Sequence, residues 1–165
     1  MDVDVAESDH TGTVLRFRPL VLRAVELAGT ARRRGDHPFG AVLLDPHGEV
    51  LAEGLNGVVT TGDLRAHAEL EALENARRAG RSGQVAGGIM IASGEPCPMC
   101  TAGLVWAGLS QIVFAAATPN FVPYLPDGPR FRLRCADVVA ASTAEIVVSG
   151  PVDGVDALAP FRPGH

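Results

Sequence analysis

The sequence predicts an α/β fold in which helices cover both faces of a mixed β-sheet. Three observations support this prediction. Strand-like and helix-like segments alternate after an opening hairpin, two strands are uniformly apolar as central strands are, and two segments repeat their apolar residues with a helical period. The 165 residues are close to the size of one domain. We therefore expect a single domain over residues 16–165, after an acidic, disordered tail at residues 1–15.

The first helix is predicted to begin near Arg18 and to end at Gly35. Pro19 suits the first turn of a helix, where its missing N–H group costs little, and glycine suits the stop. Apolar residues between these points recur at helical spacing and would form one buried stripe: Leu20, Ala24, Leu27, Ala28 and Ala31.

A β-hairpin and a second helix follow. Residues 41–45 and 49–53 are predicted strands, because they flank Asp45-Pro46-His47-Gly48, which has the composition of a turn. A polar loop then leads to a helix over residues 66–80. The inward face of this helix is predicted to carry Leu70, Leu73, Ala76 and Ala79.

The second half of the chain supplies the central strands. Residues 88–92 and 111–116 are apolar runs typical of buried strands, and residues 98–108 are apolar nearly all round, so we place this helix in the interior. Residues 118–131 contain four prolines and no periodicity, which predicts a long loop. A helix at 131–141, a strand at 145–148 and a Pro/Gly-rich tail complete the chain.

The net charge of −5 and the three cysteines bear on partners and location. Proteins that bind nucleic acid usually carry a basic field, so we expect small neutral or cationic substrates instead. Two cysteines belong to one motif and Cys135 is left over, which fits the reducing cytoplasm. The N-terminus does not resemble a signal peptide, and no apolar run reaches the ~18 residues of a membrane span.

Two short motifs carry the chemistry. His67-Ala68-Glu69 and Pro96-Cys97-Pro98-Met99-Cys100 together offer one imidazole, two thiolates and one further carboxylate. Three such ligands suit Zn²⁺ and leave its fourth position open for water, as a catalytic site requires. Glu69 is then free to move protons.

Helix starts explain how these side chains can meet. Cys97 and Cys100 are spaced so that both sulfur atoms lie on one face of a helical first turn. His67 and Glu69 would diverge in the middle of a helix, but both can face a site just beyond a helix N-terminus. We therefore predict two helix N-termini directed at one metal, where their positive ends favour thiolates.

A Cys-x-x-Cys pair alone has other interpretations. It is common as half of a structural zinc site and as a redox pair. A structural site needs a fourth ligand, for which Cys135 is the available cysteine. The spare carboxylate of Glu69 argues against a closed structural site.

In these motifs the chain resembles the cytidine deaminase superfamily, and most closely its guanine deaminase and tRNA adenosine deaminase branch. The matching residues are His37-Pro38-Phe39-Gly40-Ala41-Val42, Asn56, His67-Ala68-Glu69 and Glu95-Pro96-Cys97-Pro98-Met99-Cys100, and the likeness covers about residues 20–117. The resemblance implies a three-layer α/β/α sandwich with a mixed five-stranded sheet. It also implies zinc-dependent hydrolysis that replaces a ring amino group with a carbonyl and releases ammonia.

The resemblance implies roles for individual residues. His67, Cys97 and Cys100 would hold zinc, and Glu69 would shuttle protons. Asn56 would hydrogen-bond the base, although a turn at a strand end is an alternative role for it. The backbone N–H groups of Ala68 and Cys97 would face the reacting centre. Candidate pocket walls, each of which could equally be plain core, are Phe39, Trp106 and Phe114.

The chain departs from the guanine branch where substrate is chosen. Residues 117–121 lack the acidic residue that guanine deaminases carry soon after the fourth strand, and Asp127 is the nearest acid. The usual aromatic C-terminal segment is replaced by residues 161–165. Residues 37–40 and the acidic charge nevertheless favour the guanine branch over the tRNA branch.

We therefore expect a deaminase of a guanine-like nucleobase or nucleoside. The alternatives are, in order, a deaminase of cytosine, cytidine or another amino-heterocycle, a tRNA adenosine deaminase, and a non-catalytic structural zinc module. The family usually forms dimers or tetramers, so a homodimer or higher homo-oligomer is expected.

Overall fold

Five strands form one mixed sheet in the computed structural model, which describes residues 10–164. The strands are β1 (Gly40–Leu44), β2 (Val50–Leu55), β3 (Ile89–Gly94), β4 (Gln111–Ala116) and β5 (Val147–Ser149), in the order β2-β1-β3-β4-β5. β1 is antiparallel to β2 and to β3, whereas β3, β4 and β5 are parallel to one another. β2, β3 and β4 therefore run in one direction, and their carboxyl ends meet at the same edge of the sheet.

Helices cover both faces of this sheet. They are α1 (His10–Arg33), α2 (Val58–Thr61), α3 (Ala68–Arg78), α4 (Pro98–Trp106), α5 (Thr118–Phe121) and α6 (Cys135–Ala140). α1 packs on one face together with a 3₁₀ turn at Ala159–Phe161, and α3, α4 and α6 pack on the other. The predicted three-layer α/β/α sandwich with a mixed five-stranded sheet is thus confirmed. Within residues 10–164, no helix combines the length and the apolarity needed to cross a bilayer.

Alternating residues of the central strands feed the two cores. In β1, Val42 and Leu44 face α1, whereas Ala41 and Leu43 face α3. β3 is buried along its whole length, as its apolar sequence predicts. The sheet is therefore the shared wall of both cores.

The first helix begins earlier than predicted. α1 starts at His10, so residues 10–15 belong to a helix and not to a tail, and the remaining tail residues 1–9 lie outside the described part of the chain. Pro19 consequently lies inside the helix, where its ring removes one N–H···O bond. Phe17, which is 3% exposed, packs into the core two residues earlier, and its burial offsets that loss. Gly35 ends the helix as predicted, with a φ of 97°.

The buried face of α3 also differs from the prediction. Its buried residues are Ala68, Glu69, Ala72 and Ala76, whereas Leu70 and Leu73 are half-buried and Ala79 is exposed. The small alanines face β2 because the helix approaches this strand closely. A Cβ atom on Gly54 of β2 would lie 2.0 Å from the carbonyl oxygen of Ala68. Close approach of the backbone, and not side-chain size, decides which face is buried.

The interior position predicted for the fourth helix is wrong. Only Cys100, Thr101 and Leu104 of α4 are buried, and Trp106 is 89% exposed. The all-round apolar sequence is explained by partial packing: α4 covers the sheet on one side and lies at the surface on the other. The loop predicted at 118–131 is also partly ordered, since it contains α5 and a 3₁₀ turn at Val122–Tyr124.

Candidate active site

Most of the predicted site residues lie near the edge of the sheet where β2, β3 and β4 end. Asn56 follows β2, Glu95 follows β3 and Thr118 comes soon after β4, while Phe39 precedes the oppositely running β1. All four positions therefore lie along one edge of the sheet. Clefts beyond the carboxyl ends of strands are the usual place for ligand sites in open α/β sheets.

Three predicted metal ligands converge at this edge. His67 Nδ1 lies 3.6 Å from Cys97 Sγ and 3.5 Å from Cys100 Sγ, and the three ligand atoms are all within 4.8 Å of one another. A tetrahedral Zn²⁺ bound at its usual distances separates nitrogen from sulfur by about 3.5–3.6 Å. The donor set and its spacing therefore fit zinc. Among residues 10–164 this is the one group of His, Cys, Asp and Glu side chains that could hold a metal ion.

Two helix starts place these ligands, as the sequence predicts. His67 is the residue that caps the N-terminus of α3, and Cys97 caps α4. Cys100 follows in the first turn of α4, and Pro98 occupies the position where a proline fits a helix best. The positive ends of both helices consequently face the ligand group and stabilise thiolate.

The sulfur atoms share negative charge. The hydrogen bond from the Cys100 thiol, followed by that from His67, lowers the pKa of Cys97 to about 4, while the same bond to Cys97, together with burial, raises the pKa of Cys100. The Cys97 thiolate also raises the pKa of His67. The environment thus favours a thiolate at Cys97, and a cation bound here would displace the proton of the Cys100 thiol.

Glu69 lies beside this group on α3. The residue is 7% exposed, and burial, together with the Cys97 thiolate, raises the pKa of its carboxyl to about 7. A carboxyl group with a pKa near 7 can both accept and donate a proton at neutral pH. Its neighbour Ala68 is fully buried in the first turn of α3.

Two cavities border the ligand group. One, of about 410 Å³, has a largely apolar lining that includes Cys97, Pro96 and Phe121. The other, of about 330 Å³, is lined by Phe39, Asn56 and Asp127 among others. His67, Leu125, Pro129 and Arg130 border both cavities. Together they offer enough room for a nucleobase or nucleoside next to the ligands.

Asn56 is buried at the end of β2 with its side chain in the smaller cavity. Its Oδ1 accepts the N–H of Val58 at 3.1 Å, so this bond does not use the two N–H groups of Nδ2. These two N–H donors can therefore be offered to a ring nitrogen or carbonyl oxygen of a base. The turn role and the binding role predicted for Asn56 are compatible, because each uses a different atom.

Sequence reasoning missed the residues that hold Asn56. Arg34 donates to the backbone carbonyl of Asn56 at 2.7 Å and to Asp36 at 2.8 Å. The buried Asp36 in turn accepts the N–H groups of Val59 and Thr60. Burial alone would raise the pKa of Asp36, but the bonds from Thr60 and Arg34 outweigh it and hold that pKa below its usual value. No pattern within the predicted turn pointed to Asp36, which lies some twenty residues earlier.

The aromatic residues separate into wall, core and surface. Phe39 lines the smaller cavity and packs edge to face against Phe121, with ring centroids 5.2 Å apart, and against Phe161 at 5.4 Å. The predicted wall role of Trp106 is wrong because its ring lies at the surface. Phe114 borders neither cavity and packs with Ala92 and Ala117, so it is core.

The C-terminal segment and Asp127 contribute more than their sequence positions suggested. Phe161 comes from the Pro/Gly-rich tail, yet it stacks on Phe121 and supports Phe39. Asp127 lies far beyond the fourth strand in sequence but lines the same cavity as Asn56. An acidic side chain is therefore available to the substrate, although not from the expected stretch 117–121.

The structural-zinc alternative needed Cys135 as a fourth ligand, and the structure contradicts it. The metal-ligand group does not include Cys135. This residue is fully buried at the start of α6, where its backbone N–H donates to Glu95 at 3.2 Å. Burial raises the pKa of its thiol to about 11, so it stays protonated.

Comparison with known proteins agrees with this geometry. Residues 18–116, more than half of the chain, match the family described as the cytidine and deoxycytidylate deaminase zinc-binding region. A probable cytosine deaminase of Schizosaccharomyces pombe is 27% identical over 142 residues, which are 84% of this chain and 86% of that protein. The guanine deaminase of Bacillus subtilis is 40% identical over 95 residues, 57% of this chain and 60% of that protein.

Among solved structures, the guanine deaminase of Nitrosomonas europaea superposes with a TM-score of 0.71 at 27% identity. That superposition covers 86% of this chain and 80% of the neighbour. The chain thus spans most of one relative and of this structure, but less than two thirds of the Bacillus subtilis protein.

Proposed function

The chain belongs to the cytidine and deoxycytidylate deaminase family, and on this premise we propose that it is a zinc-dependent hydrolase that deaminates a guanine-like nucleobase or nucleoside. The observation that carries the proposal is the meeting of His67, Cys97 and Cys100 within 4.8 Å, beside the buried Glu69 and next to two cavities.

His67, Cys97 and Cys100 are the residues that would hold zinc. Bound there, zinc would supply a water molecule with a pKa low enough to act as a nucleophile near neutral pH. Three protein ligands leave one position for that water.

Glu69 would move the protons of the reaction. A carboxylate at this position can take a proton from the attacking water and pass it to the ring nitrogen and then to the departing amine. The balance is simple: one water is consumed, the C–N bond to the amino group breaks, a C=O bond forms and ammonia leaves. The pKa of about 7 suits both directions of transfer.

The smaller cavity supports a base with both acceptors and donors. Asn56 Nδ2 can donate to a carbonyl or ring nitrogen, and the Asp127 carboxylate can accept from ring N–H or amino groups. Phe39 offers an aromatic face for the ring. Guanine presents this combination of groups, and two relatives reported above are guanine deaminases.

Cytosine deamination is the second candidate. It is favoured by the probable cytosine deaminase of Schizosaccharomyces pombe, because that alignment covers nearly the whole of both chains. The smaller pyrimidine would use the same zinc ligands and Glu69 but would fill less of the two cavities.

A substrate panel tests the proposal. Zinc-loaded protein is incubated with guanine, cytosine, adenine, their nucleosides and tRNA, and ammonia release is measured. We expect guanine or guanosine to be turned over with the highest kcat/KM. A preference for cytosine or cytidine would support the second candidate, and a lack of turnover on every substrate would contradict deaminase activity. Turnover of tRNA alone would contradict the small-molecule assignment, which the net charge of −5 favours.

Location and assembly remain predictions. Free Cys97, Cys100 and Cys135 suit a reducing compartment, and we propose the cytoplasm. For the expected homo-oligomer, the exposed ring of Trp106 is a residue whose burial on self-association could be followed by its fluorescence.

A further inference from the structure

The stretch from Thr118 to Arg134, here called the wall segment, forms much of the lining of both cavities. Leu125, Pro129 and Arg130 from its middle border both of them, and Asp127 borders the smaller one. Most of this segment is exposed on its outer side and has little regular structure beyond α5 and one 3₁₀ turn. Phe121 is buried and Leu125 packs against the core, whereas the exposed residues 126–133 depend on where the segment rejoins the helix layer.

One buried carboxylate holds both ends of the wall segment. At the first end, the backbone N–H of Thr118 donates to Glu95 Oε2 at 2.9 Å. At the second end, Arg134 Nε lies 2.9 Å from both carboxylate oxygens, and the N–H of Cys135 donates to Oε1 at 3.2 Å. The ends of a segment of about seventeen residues are thus brought to a single side chain.

Burial makes these contacts strong. The side chain of Glu95 is 3% exposed, whereas that of Arg134 is 39% exposed. Removing one partner of such a pair leaves a buried charge without compensation, and this costs more than the loss of a surface ion pair.

We propose that Glu95 is a positioning residue for substrate binding, which acts by holding both ends of the wall segment so that the two cavities keep their shape. Glu95 also lies next to Pro96 and close to Cys97, but its three hydrogen-bond partners are Thr118, Arg134 and Cys135, none of them in the metal-ligand group. The proposal deepens the deaminase function proposed above and rests on it for its kinetic part.

The bonds of Glu95 with Thr118, Arg134 and Cys135 are called the clamp below. Two single variants break it, one at the carboxylate and one at the guanidinium. Glu95→Gln removes the charge that Arg134 pairs with, and Arg134→Met removes the guanidinium but keeps its apolar stem. Arg134→Lys keeps the charge without the forked hydrogen bonds and should restore part of the lost function. The matched control is Glu53→Gln, which breaks another forked pair, with Arg23 Nε at 2.7 Å, at residues that line neither cavity.

We expect both clamp variants to raise KM by about tenfold or more, because the loss of a hydrogen bond to a charged group typically changes an equilibrium constant by about that factor. Zinc content should stay at the wild-type value, and kcat should change far less than KM. Trypsin should cut after Arg130 and Arg132 at least several times faster in Glu95→Gln than in wild type. The double variant should be no worse than either single variant, since both remove the same clamp.

Three results would overturn the proposal: an unchanged KM, a loss of zinc in proportion to activity, or an equal effect of Glu53→Gln. If Glu95→Gln does not fold, Arg134→Met decides, because its side chain is partly exposed. If wild type turns over no substrate, the proposed function fails, and the proteolysis and zinc measurements still decide about the clamp. Faster cleavage with zinc retained supports it, and unchanged cleavage contradicts it.

Discussion

Glu69 is a buried ionisable side chain that lies beside the metal-ligand group without belonging to it. Burial of a charged carboxylate is costly, so burial favours the neutral form of Glu69 and raises its pKa to about 7. Proton transfer at neutral pH is most efficient for a group with a pKa in this range. A closed structural metal site has no need of such a group. The presence of Glu69 therefore favours a catalytic site over a structural zinc site.

Glu69→Gln should lower kcat by about 10²–10⁴-fold or more, because the amide cannot carry the proton. Zinc content should be unchanged, since the three ligands remain. The control is Glu71→Gln. Glu71 is two residues further along α3 and lines neither cavity. Activity and bound zinc are measured on the same samples. A Glu69→Gln enzyme that keeps wild-type turnover would remove Glu69 from the mechanism.

Residue identity predicted which His and Cys side chains converge, but it predicted the pocket walls poorly. His67, Cys97 and Cys100 could be found because metal chemistry restricts both residue type and spacing. The type of an aromatic residue does not restrict its place in this way: Trp106 is at the surface and Phe114 is core. Phe161, in contrast, packs against the cavity wall residue Phe39, although nothing in the sequence of the tail predicted this contact. Long-range contacts decide between these outcomes.

At the scale of elements, Gly54 allows the close approach of α3 to β2. Its backbone faces the first two turns of the helix, and an added Cβ would lie 2.0 Å from the Ala68 carbonyl oxygen and 2.5 Å from the Ala72 nitrogen. Both obstacles are backbone atoms, so neither can rotate away. Because His67 caps this helix, any displacement of α3 also moves the histidine away from the two cysteines.

Gly54→Ala should therefore reduce zinc affinity and destabilise the fold by about 1–3 kcal/mol, the usual cost of overpacking a well-filled contact. Urea denaturation and zinc titration measure the two effects. Gly83→Ala is the matched control, because nothing lies within 4 Å of its added Cβ. Wild-type zinc affinity in Gly54→Ala would show that α3 tolerates the shift and that the strand does not set the site.

Elements were easier to predict than their limits. The hairpin, the apolar strands β3 and β4 and the glycine stop of α1 follow from local composition. The early start of α1 did not, because it depends on Phe17 reaching the core before an interior proline. The buried face of α3 was also missed, since the contact that selects it belongs to a strand residue without a side chain.

At the scale of the whole molecule, the site is where separate parts of the chain are held together. His67 belongs to α3, which packs on edge strand β2, whereas Cys97 and Cys100 belong to α4, which follows central strand β3. A metal bound by all three would link these two parts by bonds that the unfolded chain cannot make in the same geometry. Metal binding would therefore stabilise the fold as well as supply chemistry.

Removal of zinc should consequently lower the thermal stability of the whole domain. At a free zinc concentration about a thousand times the dissociation constant, binding contributes about 4 kcal/mol. For a chain of this size, that corresponds to a fall in Tm of about 10 °C on chelation. The measurement is a melting curve with zinc, with chelator, and after zinc is restored. Cys97→Ser is the control: having lost one ligand, it should melt at nearly the same temperature in all three conditions. Equal melting temperatures for the zinc-loaded and chelated wild type would contradict a metal that joins α3 to α4.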